Sequence, residues 1–267
     1  MIRTSLRITT IRKTGKLDLL YPTIPGMNPP APTIEPLGEH GWLIHLPDEE
    51  SAIKFYKLLI HNSLYTVEEI VPAYASVAVL ASRAATEAQL NTLENQLNGM
   101  INNLRFNTYE HGSQATGQAV EVPVIYDGPD LETVASYFQI SISHLVAWHC
   151  AMPYRVYAVG FQPGFPYCGY LPGPISGMAR RSSPRTHVPA GSVAIAGRQT
   201  GIYPQDSPGG WHLLGRTDVE IVDLSRSFFR FAPGDRLQFV PQTGGIMPEP
   251  EILSKIRETI SSGARSL

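Results

Sequence analysis

Apolar and polar residues follow two different periods between residues 34 and 115, and these periods predict strands and helices in turn. The run GWLIHL (41–46) is short, apolar and bounded by glycine and proline, which is typical of a strand. Two further strands, EEIVPAY and SVAVLA, are predicted within 68–81. Helical spacing predicts one helix after Asp48 and a second after Thr86, and both residues are good helix caps. The apolar stripes of the two helices are Ile53, Tyr56, Leu59 and Ile60, then Leu90, Leu93, Leu97, Ile101 and Leu104.

The order strand, helix, strand, strand, helix predicts a ferredoxin-like unit that lacks only its last strand. We therefore expect an α+β ferredoxin-like N-terminal domain over residues 34–115. Residues 1–33 are basic, then proline-rich, and have neither a periodic pattern nor the apolar segment of a secretory signal. They predict a disordered tail or a mistranslated one, since Met27 is a second candidate start.

Strand and cap signals continue after this domain. VEVPVIY (120–126) is predicted as a strand. Asp130 and Ser141 are plausible caps for two short helices, LETVASYF and ISHLVAWHC. The second helix carries His144 and His149 five residues apart, which is not the spacing of a helical metal pair, so both are interpreted as structural.

Glycine and proline dominate the rest of the chain. Residues 155–245 contain 14 Gly and 10 Pro between short β-rich pieces. This pattern favours many short strands joined by turns, as in a barrel or sandwich. We expect an all-β barrel over 119–245 and a surface helix or tail over 246–267.

Composition and charge exclude several classes of function. The net charge is −2, which argues against a general nucleic-acid binder. No apolar run approaches the roughly 18 residues of a membrane span, and we expect a cytoplasmic protein without membrane contacts. No lysine lies between Lys57 and Lys255, so that stretch has neither a Walker A nor a Schiff-base lysine. The chain also lacks G-x-S-x-G, H-E-x-x-H and zinc-type Cys/His spacing, and no metal site is expected. Cys168 is interpreted as a buried apolar residue rather than a nucleophile.

The candidate functional surface lies in residues 159–216, which concentrate glycine, proline, aromatic residues and arginine. Arginines outnumber acidic residues between 155 and 236, and such a surface attracts carboxylate, carbamoyl or phosphate groups, or an acidic partner. Glycines let backbone N–H donors approach an oxyanion. The neutral hydrogen-bonding residues Gln199, Thr200, Tyr203 and Ser207 are predicted to lie on turns. The structural alternative is that glycine and proline only bend the strands of a barrel.

Arg185 is the candidate clamp for a carboxylate or phosphate, because a guanidinium binds such groups through two hydrogen bonds. Gln199 and Tyr203 are the candidate orienting groups, and these three residues are the predicted catalytic set. Alternatively, Arg185 pairs with Asp206 or Asp223 on the barrel surface. The predicted substrate-binding residues are Phe161, Pro163, Gly164, Phe165, Thr200, Ser207, Gly209, Gly210 and Trp211.

Three strings also resemble a known family: GFQPGFPYCGYL, PRTHVPAGSVAIAGRQTGIYPQDSPGGWHLLGRT and APGDRLQFVP. This family contains the B subunit of bacterial 5-oxoprolinase, sporulation histidine-kinase inhibitors and the allophanate hydrolase subunit 1 (carboxyltransferase subdomain) proteins. The resemblance is close over 155–241 and implies a cyclophilin-like barrel after a ferredoxin-like domain. GEHGWLIHL departs from the usual opening of the family, and Cys168 stands where the family usually has leucine.

The resemblance implies three alternative functions. The first is a role as one subunit of an ATP-dependent 5-oxoprolinase, which opens 5-oxo-L-proline to L-glutamate together with its A and C subunits. In that case the C subunit lies beside the barrel, and ATP serves the complex without a P-loop in this chain. The second is inhibition of a sporulation histidine kinase, with arginine and aromatic residues as interface anchors. The third is a carboxyltransferase role in urea or allophanate metabolism, which needs a biotin carrier.

Overall fold

The computed structural model describes residues 31–62, 64–106 and 118–262. The N-terminal part is an antiparallel sheet with the strand order β1-β2-β4-β3 and two helices packed on it. Its elements are β1 (Thr33–Pro36), β2 (Gly41–His45), α1 (Glu49–His61), β3 (Val67–Ala73), β4 (Ser76–Ala81) and α2 (Glu87–Phe106). The predicted order is confirmed from β2 to α2. The edge strand β1 was not predicted, and most of the predicted tail lies outside the described residues.

Capping side chains fix where the two helices of this part begin. The carboxylate of Asp48 accepts a 2.7 Å hydrogen bond from the backbone of Ser51. Thr86 and Gln89 bond reciprocally, since the backbone N–H of each donates to the side chain of the other at 2.8 and 3.4 Å. Both predicted caps are confirmed. Both helices pack on one face of the sheet, and the core contains Trp42, Ile44, Phe55, Leu59, Val77, Val79, Leu93, Leu97 and Ile101. Ile60 of the predicted stripe is instead exposed, because it lies on the solvent side of α1.

The second part is a seven-stranded sheet that closes on itself. Its strand order is β12-β9-β10-β7-β6-β15-β5, and only the β15–β5 pair is parallel. Backbone hydrogen bonds of 2.9 and 3.0 Å between Ile125 and Arg216 join the two outermost strands and close the barrel. The strands are β5 (Val120–Val124), β6 (Tyr154–Val159), β7 (Pro166–Gly169), β8 (Arg185–Val188), β9 (Ser192–Ala196), β10 (Gln199–Ile202), β11 (Ser207–Gly209), β12 (His212–Arg216), β13 (Val222–Asp223), β14 (Phe228–Phe229) and β15 (Arg236–Pro241).

Helices pack around this barrel, so the second part is not purely β as expected. The two predicted short helices are confirmed as α3 (Leu131–Phe138) and α4 (Ile142–Cys150), and α5 (Pro250–Ser262) packs on α4. Ser141 caps α4 as predicted, by accepting a 3.2 Å hydrogen bond from the backbone of His144. Asp130 precedes α3 but makes no capping bond, so that prediction is wrong. The described residues include no helix that is long and apolar enough to cross a membrane.

A buried polar chain crosses the interior of the barrel. The imidazole of His149 is hydrogen-bonded at 2.8 Å to the Tyr126 hydroxyl through Nδ1 and at 2.8 Å to the Thr200 hydroxyl through Nε2. Its ring stacks on Phe239 with 4.6 Å between centroids. Burial lowers the pKa of His149 to about 3, so the ring is neutral at physiological pH. The structural interpretation of His149 therefore agrees with its position in the core.

The two parts meet through side chains at the start of α1. Glu50 accepts a 2.8 Å bond from Arg155 and a 3.3 Å bond from the Tyr157 hydroxyl, both on β6. Its neighbour Glu49 accepts a hydrogen bond from the hydroxyl of Tyr170. The first turn of one helix thus holds the N-terminal sheet against the barrel.

Candidate functional site

An open groove of about 510 Å³ lies where the N-terminal part meets the barrel. Tyr74, at the turn between β3 and β4, forms one side, and the ends of β7, β9 and β10 form the other. The lining residues are Tyr74, Tyr170, Ala179, Arg180, Ala196, Gly197, Arg198 and Gln199. None of them is acidic, and two are arginines. The groove therefore combines positive charge with hydroxyl and amide groups, which suits a small anionic ligand.

Two of the predicted site residues, Gln199 and Thr200, are neighbours on β10, and their side chains lie on opposite sides of the strand. Gln199 lines the groove, and its amide donates a hydrogen bond to the Tyr74 hydroxyl. Thr200, the next residue, is fully buried and bonded to His149 in the interior. Adjacent residues of a strand face opposite sides of a sheet, so only one of the two can reach the groove. The expectation that this segment is a turn is wrong, and Thr200 has no access to a ligand in the groove.

The predicted clamp Arg185 is bound to Asp130, which the sequence predicted only as a helix cap. Its guanidinium donates to both carboxylate oxygens of Asp130 at 2.9 and 2.8 Å. Arg181 donates to the same carboxylate at 3.1 Å, and the backbone of Leu213 at 2.7 Å. The alternative partners Asp206 and Asp223 bind other groups instead. Both terminal nitrogens of Arg185 are therefore hydrogen-bonded within the protein.

Burial opposes ionisation of Asp130, but its partners outweigh that effect. The hydrogen bonds from Arg185 and from the Leu213 backbone, together with the charges of Arg185 and Arg181, favour the carboxylate. The pKa of Asp130 is consequently lowered from its usual range. This network is a fixed, ionised cluster at neutral pH.

Tyr203 lies within an aromatic cluster rather than in the groove. Its ring meets Phe165 edge-on with 5.2 Å between centroids, and Phe165 meets Trp211 at 5.4 Å. Phe161 stands over Tyr203 at 6.5 Å and is largely exposed. Burial raises the pKa of Tyr203, and a backbone hydrogen bond from Trp211 partly offsets this. The hydroxyl is therefore protonated at neutral pH and is no base.

Small residues around this cluster have packing roles. A Cβ at Gly209 would lie 2.8 Å from ring carbons of Tyr203, so only glycine fits between β11 and that ring. The carbonyl of Gly210 accepts a 2.8 Å hydrogen bond from the backbone of Arg181. Gly164 adopts φ +83° and faces Val222. None of these glycines lines the groove.

Two further predicted binding residues also lie away from the groove lining. Pro163 is exposed on the loop before β7. Ser207 is half-buried on β11, and its hydroxyl has no hydrogen-bond partner among the described residues. Of the predicted site residues, the structure brings only Gln199 to the groove, while most of the others surround the aromatic cluster and the Asp130 network.

The groove lacks an activated nucleophile among the residues that the structure describes. Burial raises the pKa of Tyr74 to about 12, so it donates hydrogen bonds as a neutral phenol. Cys168 is fully buried, and burial raises the pKa of its thiol strongly. Burial likewise raises the pKa of Cys150, to about 11. The arrangement can bind and orient a ligand, and it offers no thiolate for covalent catalysis.

Sequence reasoning missed Tyr74, Arg180, Arg198 and Asp130. Arg198 stacks on Tyr170 with its guanidinium carbon 4.5 Å from the ring centroid. Arg180 stands in the run ARRSSPR, where composition alone does not distinguish one arginine from its neighbours. Tyr74 was predicted only as the last residue of the strand EEIVPAY, whereas it lies at the turn between β3 and β4. No group of three potential metal ligands occurs within the described ranges.

The structure thus combines a seven-stranded barrel, a small sheet-and-helix part and a groove between them that carries two arginines and no acidic residue. Carboxyltransferase domain, subdomain C and D, is the family whose model matches residues 32–230. The chain belongs to this family, and the resemblance of its motifs is confirmed.

Curated relatives are similar over part of the chain. Within 131 residues, the chain is 46% identical to the 5-oxoprolinase B subunit of Escherichia coli O157:H7, and the match covers 48% of this chain and 60% of that protein. Within 132 residues it is 44% identical to the 5-oxoprolinase B subunit of Haemophilus influenzae, covering 48% and 62%. Within 105 residues it is 49% identical to the Bacillus subtilis protein of the same name, covering 38% and 43%. The chain thus spans less than two thirds of these relatives.

Solved structures share the fold. TTHA0988 superposes with a TM-score of 0.65 at 33% identity, over 82% of this chain and 42% of that one. The Kluyveromyces lactis urea carboxylase superposes with a TM-score of 0.61 at 16% identity, over 87% of this chain and 25% of that one. At that identity the second similarity concerns the fold alone.

Proposed function

We propose that the chain acts as the B subunit of an ATP-dependent 5-oxoprolinase, which hydrolyses 5-oxo-L-proline to L-glutamate. The observation that carries this proposal is its 44–49% identity to proteins named as 5-oxoprolinase B subunits. The basic groove supports it, because 5-oxoproline is a small cyclic amide with a carboxylate. Among the three functions that the motifs imply, nothing in the groove favours kinase inhibition or biotin-dependent carboxyl transfer.

Hydrolysis of the lactam of 5-oxo-L-proline requires ATP and, in this proposal, partner subunits. A lactam is stabilised by resonance, and phosphorylation of its oxygen by ATP makes the carbonyl carbon open to water. Water then adds to that carbon, and the C–N bond breaks with a proton going to nitrogen, which leaves an acyl phosphate. A second water attacks this acyl phosphate and releases inorganic phosphate and L-glutamate. The sequence has no Walker A string, so we place ATP activation on the A subunit and completion of the site on the C subunit, beside the barrel. We also propose a cytoplasmic complex, because ATP is available there.

We also infer a ferredoxin-like N-terminal domain and a cyclophilin-like barrel. The order β2-α1-β3-β4-α2 supports the first assignment, and β1 occupies the sheet position of the strand that the sequence lacked after α2. Closure of the seven-stranded sheet through Ile125 and Arg216 supports the second.

Reconstitution tests the proposed function. The chain is co-expressed with the products of its neighbouring genes, purified by a tag on this chain, and assayed for 5-oxoproline-dependent ATP hydrolysis and glutamate release. We expect copurification of two partners and activity that disappears when this chain is left out. A complex that forms but consumes no ATP on addition of 5-oxoproline would contradict the proposal.

A further inference from the structure

Arg180 is an exposed guanidinium on the wall of the groove. It makes no ion pair or hydrogen bond with the residues that the structure describes, whereas Arg181 and Arg185 are both committed to Asp130. Arg198, the other lining arginine, is stacked on a tyrosine ring. Arg180 is therefore the groove cation whose charge remains available for a ligand.

The backbone on both sides of Arg180 is held firmly. The backbone N–H of Gly177 donates to the carbonyl of Gly197 at 2.6 Å, and the N–H of Gly197 donates to the carbonyl of Met178 at 2.6 Å. These two bonds hold the segment against the end of β9. On the other side, the amide of Arg181 donates to the carbonyl of Gly210 at 2.8 Å, and its side chain reaches Asp130 at 3.1 Å. Because both flanks are fixed, the backbone of Arg180 is held in place, and a ligand has to order only its side chain.

Neutral polar groups line the same groove as this charge. The amide of Gln199 donates a hydrogen bond to the Tyr74 hydroxyl across the groove, which leaves the carbonyl of the Gln199 amide able to accept an N–H. Tyr74, Tyr167 and Tyr203 all lie within the electrostatic reach of Arg180, whose charge partly offsets the effect of burial on their pKa values. A ligand with one carboxylate and one amide N–H matches these groups.

We propose that Arg180 binds the carboxylate of the cyclic-amide substrate in this groove. The proposal rests on the proposed function and makes its binding step specific. It replaces Arg185 as the clamp, because Arg185 is already bound to Asp130 through both of its terminal nitrogens. Gln199 is assigned to the lactam N–H.

Kinetics of the reconstituted complex test the assignment with Arg180→Ala, Arg180→Lys and the control Arg226→Ala. Arg226 is also an exposed arginine, but it pairs with Glu220 and Asp223 and does not line the groove. We expect the KM for 5-oxoproline to rise about 10- to 100-fold in Arg180→Ala, since a charge-assisted hydrogen-bonded pair is lost. Arg180→Lys restores part of the affinity, and the control and the KM for ATP stay unchanged.

A neutral inhibitor separates recognition of the carboxylate from general damage. 5-Oxoprolinamide keeps the ring and lacks the charge, so its inhibition constant should be the same in the wild type and in Arg180→Ala. Equal weakening of the acid and the amide, a KM for 5-oxoproline within twofold of the wild type, or a rise in the KM for ATP would each overturn the assignment.

Calorimetric titration of the same complex with 5-oxoproline, without ATP, keeps the two proposals apart. Binding to the wild type that is lost in Arg180→Ala supports the carboxylate site even where no turnover is seen, and then only the proposed function fails. Turnover that survives in Arg180→Ala with unchanged binding overturns the site and leaves the proposed function standing. A wild-type complex that neither binds nor turns over 5-oxoproline overturns both.

Discussion

At the scale of single residues, Asp130 joins three segments that are distant in the sequence. Its carboxylate is almost fully buried and receives hydrogen bonds from Arg181, Arg185 and the backbone of Leu213. A buried charge is tolerated only when such partners satisfy it. The start of α3, the segment before β8 and strand β12 are thus held at one point.

Asp130→Asn tests the importance of this point for stability. We expect the free energy of unfolding to fall by about 2–4 kcal/mol at pH 7, because two arginines lose their buried counter-charge. Urea denaturation measures the change, with Asp223→Asn as the control, a half-buried acid paired with the exposed Arg226. A similar loss in both variants would show that burial of Asp130 has no special role.

The same variant makes a prediction about pH. The pKa of Asp130 is depressed in the folded protein, so its ionised form stabilises the fold above the ordinary aspartate pKa of about 3.9. That contribution is lost as the pH falls through the depressed pKa. The difference in unfolding free energy between wild type and Asp130→Asn should therefore be full at pH 7 and shrink below about pH 4. A difference that stays constant in acid would contradict the ion-pair argument.

Gly209 tests the packing of the aromatic cluster. Alanine there would place a methyl group 2.8 Å from ring carbons of Tyr203, which cannot move freely between Phe165 and Phe161. We expect Gly209→Ala to lower the free energy of unfolding by about 1–3 kcal/mol. Gly210→Ala is the matched control, since its nearest neighbour would be an ordinary 3.7 Å away. Thermal denaturation that does not separate the two variants would refute the packing role.

At the scale of elements, helix α1 connects the two parts of the molecule through its first turn. Arg155 on β6 is only 8% exposed, and Glu50 supplies its carboxylate partner. Glu50→Ala should cost about 1–3 kcal/mol of unfolding free energy, because a nearly buried guanidinium loses its counter-charge. Glu87→Ala removes an equivalent first-turn acid from α2 and serves as the control. Equal melting temperatures for the two variants would argue against this contact.

The elements also show what the sequence determines and what it does not. Asp48, Thr86 and Ser141 act within a few residues, and their capping roles follow from the local pattern. Asp130 has the same local signal, but its partners come from 51 to 83 residues further along the chain, where periodicity gives no information. Thr200 shows the same limit, because adjacent residues of β10 face opposite sides of the sheet. The side chain of Gln199 lies in the groove, and that of Thr200 lies in the core.

The candidate site was therefore predicted in part. Gln199 lines the groove, while anion binding by these residue types stays a prediction. Arg185 was assigned as the clamp because its partner Asp130 is distant in the sequence and meets it only in the folded protein. Arg180 differs from Arg181 and Arg185 in having no partner within the described part of the chain. Only the three-dimensional structure distinguishes a committed arginine from an available one.

At the scale of the whole molecule, the groove is open and contains binding groups without an activated nucleophile or a phosphate loop among the described residues. We expect the purified chain alone to hydrolyse neither ATP nor 5-oxoproline at an enzyme-like rate, on the order of 1 to 1000 per second. A coupled ATPase assay and glutamate detection measure both activities, with the reconstituted complex as the positive control. Robust turnover by the single chain would sink its assignment to a multi-component enzyme.

The parallel pairing of β15 with β5 has a consequence for synthesis. The first strand of the barrel emerges from the ribosome long before the last one, and it lacks its neighbour until residue 241 is made. Until then β5 and β6 expose unpaired backbone edges, which are sites of aggregation. We therefore expect a nascent chain stalled before β15 to bind chaperones, and the barrel to complete its folding only after its last strand is released.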